Sequence, residues 1–222
     1  MTGKEKVATK RPTLPSAVQL VLASHVALSD EVTFQNCAIS DVDLSYQESD
    51  SVTFESAKLD KVRFSETEQR RLVLRDVLMN VCDFSNARWS ESKINRVEFM
   101  HSKLTGFKFT EGKISDCRFE GCIGEMVEFQ GCQFRNSIFK DCKLRGCDFR
   151  FCDLEGTRFD NCDLESAVFY DAKLGGVDFR GSQIMGIKAH PANFKGAIID
   201  EQQAFDLSRL LASVLGIEVK NS

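Results

Sequence analysis

FRFCDLEGTRFDNCDLES, residues 149–166, sets Phe149, Leu154, Phe159 and Leu164 five residues apart, with Cys152, Thr157 and Cys162 each two residues before one of them. A step of five matches neither the 3.6-residue turn of a helix nor the two-residue alternation of a strand, so a chain with this period has to turn every five residues. The large series starts at Phe34 and holds its phase to Ile199; of its 34 positions only Ser49, Gln69, Gly124 and Ala189 lack a large apolar side chain. Two residues ahead runs a second, mostly small series that includes Val32, Val42, Ala57, Ala87 and all nine cysteines. An internal repeat of this kind decides the architecture before local propensity does. Stacked turns with two inward side chains in every five make a squared solenoid.

The units CDLEG (152–156), CDLES (162–166) and AKLGG (172–176) resemble the A(D/N)LXX unit of the pentapeptide-repeat family. The resemblance covers about residues 30 to 199. It implies an all-β solenoid, a right-handed quadrilateral β-helix with four pentapeptides per coil. At twenty residues per coil the 34 units make between eight and nine coils, about 40 Å of rod at a strand spacing of ~4.8 Å. Eight glycines, Gly106, Gly121, Gly131, Gly146, Gly156, Gly176, Gly181 and Gly186, share one register, where such turns call for positive φ. From residue 99 onward most Phe centres alternate with Leu or Ile, which predicts layers of rings alternating with aliphatic filler.

Nine cysteines raise the questions of a disulfide framework and a metal cluster. Residues twenty apart stack, so Cys122, Cys142 and Cys162 form one column and Cys132 and Cys152 another. Their side chains point inward in parallel, whereas a bridge needs Cβ atoms facing one another about 3.5–4.5 Å apart. The thiols therefore read as free, small core hydrophobes in a reducing compartment. Zinc-ligand spacings are absent, and His25, His101 and His190 are far apart, so no metal or cofactor is expected. The stretch GFKFTEGKIS from Gly106 has the wrong glycine spacing for a phosphate-binding loop, and neither GxSxG nor HExxH occurs. The chain does not read as an enzyme.

Composition agrees with a packed, soluble chain: 42% of residues are apolar and the formal net charge is −4. A pI near 5.5 argues against direct nucleic-acid binding through a basic face. No run of 18 apolar residues exists to span a membrane. Gln19, Ser24 and His25 interrupt SAVQLVLASHVAL, which is not read as a signal sequence, and the expected location is cytoplasmic.

The ends depart from the repeat. Residues 1–13 read as a disordered tail, 14–29 as an N-terminal cap of helix or strand, and 30–199 as the β-helix. Residues 200–222 read as a capping α-helix and dimerisation tail. Asp200 and Gln203 make a capping-box pair, and Gly216 is the stop. Ala204, Leu207, Leu211 and Val214 follow at helical spacing as a stripe expected to face the last coil. Such a cap hides the open end of the core and its strand edges.

The closing GAIIDEQQAFDLSRLLASVLGIEV resembles the C-terminal ends of quinolone-resistance pentapeptide proteins of the Qnr and MfpA type. That resemblance implies two barrels joined end to end as a homodimer, an acidic rod that imitates DNA, and DNA gyrase or topoisomerase IV as the partner. The acid is concentrated towards the ends: residues 30–68 hold ten acids and three bases, residues 148–178 eight acids and three bases, and residues 88–118 seven bases and four acids. Candidate partner-binding residues are Asp148, Asp153, Glu155, Asp160, Asp163, Glu165, Asp171 and Asp178. Candidate dimer contacts are Ile217 and Val219, which have no evident use within one chain. Against an acidic rod, Glu120, Lys140, Asp160 and Arg180 alternate in sign along one column, as do Glu125, Arg145 and Glu165, which predicts ion pairs stapling neighbouring coils. The alternative is an interaction scaffold for some other protein.

Overall fold

A computed structural model describes residues 9–14, 19–20 and 26–218. The chain winds into a β-solenoid whose register is set by the repeat: Ala38, Lys58, Leu78, Glu98, Arg118, Ile138, Arg158, Asp178 and Ile198 pair in one parallel ladder, each twenty residues from the next. Four walls follow from four pentapeptides per coil. Walls one and two are centred on the Phe54 and Leu59 columns. Walls three and four are centred on the Phe64 and Gln69 columns. The described strands form an eleven-stranded parallel sheet on walls one and two and a four-stranded sheet on wall four. Wall three is tied by single bridges such as Asp43–Arg63 and Lys143–Asp163. Strands Thr53–Asp60, Val73–Asn80 and Lys93–Met100 run unbroken round the corner between walls one and two.

Left-handed backbone marks the corners, but most corner residues are not glycine: Asn36, Asp76, Val81 and Phe151 all have φ between 51° and 60°. At two of the glycine corners the neighbour one coil earlier excludes a larger residue. A Cβ at Gly121 would run into the His101 ring, and one at Gly106 into the Asn86 side chain.

From Val52 to Ala189 both inward series are buried, and at the two ends Val32, Phe34, Phe194, Ala197 and Ile199 are half-buried. The rings, however, form columns along the rod rather than alternating layers. Alternation every ten residues puts Phe on opposite walls, and the twenty-residue coil returns it to the same wall each time. On wall two Phe99, Phe119, Phe139, Phe159 and Phe179 stack nearly parallel at centroid spacings of 4.6, 4.6, 5.0 and 5.3 Å. Opposite them Phe129, Phe149 and Phe169 stack at 5.4 and 5.0 Å. The two columns meet edge to face, as at Phe149–Phe159, the arrangement the ring quadrupole favours.

The exceptions to the large series are compensated locally. Gly124 leaves no hole, because a Cβ there would meet Val127 and Leu104. Phe107 occupies a slot of the small series and lies against Phe84, Trp89, Phe109 and Phe129. Ser49 and Gln69 bond to each other at 2.6 Å, and the Gln69 amide donates to the Gln47 carbonyl at 3.3 Å, so these polar core residues are partnered.

All nine cysteines are free and buried. Cys82, Cys122, Cys132 and Cys142 direct their thiols at carbonyls 23 residues earlier, at 3.6, 3.4, 3.1 and 3.4 Å. Ser92, Ser102 and Ser137 fill the same slot and donate to the carbonyl two residues back. The slot thus takes a small side chain able to donate weakly to backbone. Burial pushes the Cys82 and Cys117 thiols up to about 12, away from the thiolate form that reacts.

At the N-terminal end Gln19–Leu20 is a strand paired parallel with Cys37–Ala38, and Val26 and Leu28 are buried over the first coil. The Leu28 amide donates to the Gln47 side chain at 2.6 Å. Residues 9–13, expected in a disordered tail, lie along the barrel: the Thr13 amide donates to Asp76 at 2.9 Å and the Lys10 amide to Asp116 at 3.4 Å. Residues 1–8 are outside the described residues.

At the other end Pro191–Phe194 makes a 3-10 turn and Glu201–Val214 forms α1. The capping box is present, each of Asp200 and Gln203 accepting the other's amide at 3.0 Å. Gly216 closes the helix at φ 68°. The expected stripe is not the docked face. Leu207 is buried, but Ala204, Leu211 and Val214 are exposed, while Gln203 is buried and Leu210 packs on the core. The reason lies in Gln203, whose amide nitrogen donates to the Phe179 and Ser182 carbonyls at 2.5 and 2.7 Å and turns the helix toward the edge of the last coil. A polar residue thereby satisfies the Ser182 carbonyl and adds a second donor to the Phe179 carbonyl, which already takes the Ser182 amide at 3.0 Å.

Candidate partner-binding surfaces

Everything a partner can touch on the barrel comes from the outward residues between the two inward series, so each wall is a set of side-chain columns with a twenty-residue step. The eight candidate acids are not gathered on one wall. Asp153 and Glu155 belong to wall one, Asp160 and Asp178 to wall two, Asp163 and Glu165 to wall three and Asp148 to wall four. Asp171 stands at the corner between walls four and one. A run of acids close in sequence is wound round the rod, because five residues carry the chain to the next wall.

Most of these acids are also neutralised within the chain. Asp148 pairs with Arg150 at 2.6 Å, Asp153 with Arg135 at 2.8 Å, Asp160 with Arg158 at 2.8 Å, Glu165 with Arg145 at 2.7 Å and Asp178 with Arg180 at 2.8 Å. The predicted ladder of Glu120, Lys140, Asp160 and Arg180 is only partly made. Lys140 reaches Glu120 at 3.0 Å, but Asp160 and Arg180 pair two residues away along their own strands. Alternate outward residues of one strand lie on the same side, so they compete with the coil above for the same carboxylate. Burial acts against the charge of Asp148 and Asp178, yet hydrogen bonds from Arg150 and Arg180 hold both carboxyls below their ordinary value. The Arg135 side chain does the same for Asp153. Among the described residues Glu155, Asp163 and Asp171 make no ion pair.

Two further surfaces stand out. An open groove of about 700 Å³ on wall four runs over Ser49, Gln69 and Trp89 between Glu48, Glu68, Arg70 and Arg88. Its rim is stapled by Arg88–Glu68 at 2.6 Å and Arg70–Glu91 at 2.8 Å. The second surface is the cap. A cavity of about 390 Å³ lies between α1 and wall three, lined by Ile184, Met185, Ile187, Phe205, Leu207 and Leu210. Phe205 is 67% exposed, and Leu211, Val214, Leu215 and Ile217 are all exposed at the far end of the helix. Ile217 is thus an outward apolar residue; Val219 lies outside the described residues. Phe205 and Leu215 stand off the stripe of Ala204, Leu207, Leu211 and Val214, and in the sequence only a second apolar face on the helix marks them.

Among the described residues no three His, Cys, Asp or Glu side chains come together to hold a metal ion, and no helix is long and apolar enough to cross a membrane. His101 and His190 are exposed on the outside of the coils.

A family model described as a pentapeptide repeat region matches residues 112–189. Comparison with curated proteins finds no match. Among solved structures the chain is similar to HetL, a pentapeptide repeat protein involved in heterocyst differentiation regulation in the cyanobacterium Nostoc sp. strain PCC 7120. The identity is 16%, over 80% of this chain and 90% of that one, with a TM-score of 0.44. A trypsin-treated form of QnrB1, a plasmid-mediated fluoroquinolone resistance protein, is 19% identical over 93% of this chain and all of its own, with a TM-score of 0.32. The pentapeptide repeat protein Rfr23 from the cyanobacterium Cyanothece 51142 is 13% identical over 76% and 91%, with a TM-score of 0.20.

Proposed function

We propose that this chain, a pentapeptide-repeat protein by its fold, acts without catalysis as a rigid rod that binds other proteins and pairs with a second copy through its C-terminal cap. The observation that carries the reading is the cap itself. Leu211, Val214, Leu215 and Ile217 remain in water although α1 has already docked through Gln203, Leu207 and Leu210. Apolar side chains clustered at one end of a molecule mark an interaction site. A twofold pairing of that end buries the same residues from both copies and closes on itself. Sedimentation at micromolar concentration tests this: the chain runs as a dimer, and Leu211→Ser with Leu215→Ser runs as a monomer with its β-rich circular dichroism unchanged. A wild-type monomer overturns the pairing.

The partner we propose is DNA gyrase or topoisomerase IV, with the doubled rod taking the place of DNA and protecting the enzyme from quinolones in the cytoplasm. This second step is supported by Glu155, Asp163 and Asp171, three carboxylates without ion pairs among the described residues, on the coils towards the cap, which a cap-to-cap dimer carries near its middle. A supercoiling assay with and without quinolone separates it from a scaffold for another protein. A DNA mimic changes the assay at low salt and fades as salt screens the field. A scaffold leaves it unchanged.

A further inference from the structure

Residues 10–13 lie against the corner between walls one and two and climb it along the axis of the rod. The Lys10 amide bonds Asp116 at 3.4 Å, the Arg11 guanidinium stands 3.9 Å from Glu98, and the Thr13 amide bonds Asp76 at 2.9 Å. The three carboxylates belong to three successive coils. Two coil steps rise about 9.6 Å, and the three steps from Lys10 to Thr13 extend about 10 Å as a strand. An extended chain therefore meets one carboxylate per coil without slipping out of register. Asp76 is further fixed by Arg96, whose Nε and Nη2 both donate to it, at 2.7 and 2.5 Å. The carboxylates of Glu98 and Asp116 make no second hydrogen bond or ion pair among the described residues.

We infer that this corner is a binding track for an extended basic segment, that residues 10–13 occupy it in cis as a detachable strap, and that a basic segment of a partner protein takes the same track in trans. The chemistry of recognition is on the wall: backbone N–H groups meet carboxylates at Asp76 and Asp116, and a cationic side chain meets Glu98 between them. The strap is held weakly. Arg11 is 82% exposed at 3.9 Å from its partner, a geometry that contributes little and is screened by salt. Its advantage over an outside segment is its tether, which gives an intramolecular segment an effective concentration on the order of millimolar.

The inference uses the barrel wall rather than the cap, so its failure leaves the dimer reading standing. The probe is a dye-labelled peptide with the sequence of residues 4–14, KEKVATKRPTL, added to the full chain and followed by fluorescence anisotropy. A strap closed nine-tenths of the time lowers the apparent affinity of the track about tenfold. Arg11→Glu, which turns the strap against Glu98, is therefore expected to bind the peptide about tenfold more tightly than wild type. Adding Glu98→Gln and Asp116→Asn to that variant reverses the gain, and 0.5 M salt, roughly a 4 Å screening length, weakens binding throughout. Circular dichroism checks that each surface variant is folded. The inference is overturned if Arg11→Glu does not bind the peptide, if it binds no better than wild type, or if the two track substitutions leave binding intact.

Discussion

Gln203 is one side chain that joins three structures: the helix start, the last coil and the interior. Changing it to Ala removes the bond accepted from the Asp200 amide and the two donated to the Phe179 and Ser182 carbonyls. Loss of a capping partner costs about 1 kcal/mol. Leaving a buried acceptor unpaired costs about 1–3 kcal/mol, less where water reaches it after the helix loosens. The sum is about 3 kcal/mol, and it falls on the docking of α1 because the coils below keep their own ladders. Hydrogen exchange is the fitting assay: amides of residues 203–214 are expected to exchange about 100-fold faster in Gln203→Ala, with those of the central coils unchanged. Gln202→Ala, exposed one residue away with a single 3.4 Å contact to Asp206, is the control and is expected to change exchange by less than about threefold. Equal effects in the two variants would refute the claim that Gln203 docks the helix.

In the core, Phe139→Ala opens a gap between Phe119 and Phe159 and is expected to cost about 3–5 kcal/mol in denaturant unfolding. The exposed Arg145→Ala costs under about 1 kcal/mol, and similar losses would contradict the inward register. A thiol reagent is expected to count nine cysteines in the unfolded chain and almost none in the folded one; seven or fewer after anaerobic unfolding would show bridges. Asp76, Asp148, Asp153 and Asp178 have carboxyls held below their ordinary value. Their contribution to stability is present above the unfolded value near pH 4 and is lost as the pH falls through the folded ones. Unfolding midpoints are therefore expected to drop below pH 4, and less steeply in Asp178→Asn; an identical slope in that variant would remove Asp178 from the account.

A strict period survives reading by eye because every fifth residue faces the same interior and a single slip would bury charge. The solenoid, both inward series and the free cysteines were legible for that reason. So were the capping box and Gly216, which are local contacts within one turn of chain. The acids at 148–178 were misleading when read along the chain, since a cluster in sequence is dispersed over four walls in space. Their partners were harder still, because Arg158 and Arg180 each choose between a carboxylate on the same strand and one a coil away, and side-chain geometry settles it.

Sequence by itself determined the repeat, the inward register and the stacking interval, since each is a property of period and of the burial of apolar side chains. Tertiary structure decided which face of α1 docks and where residues 10–13 lie. Those outcomes depend on groups far apart in the chain: the Gln203 amide and the carbonyls of Phe179 and Ser182, the Thr13 amide and Asp76. The five-residue period does not mark which side chains make such pairs. They meet because coiling carries the chain past the same point every twenty residues, and a free hydrogen-bonding group at an end or a corner takes the partner that this brings within reach.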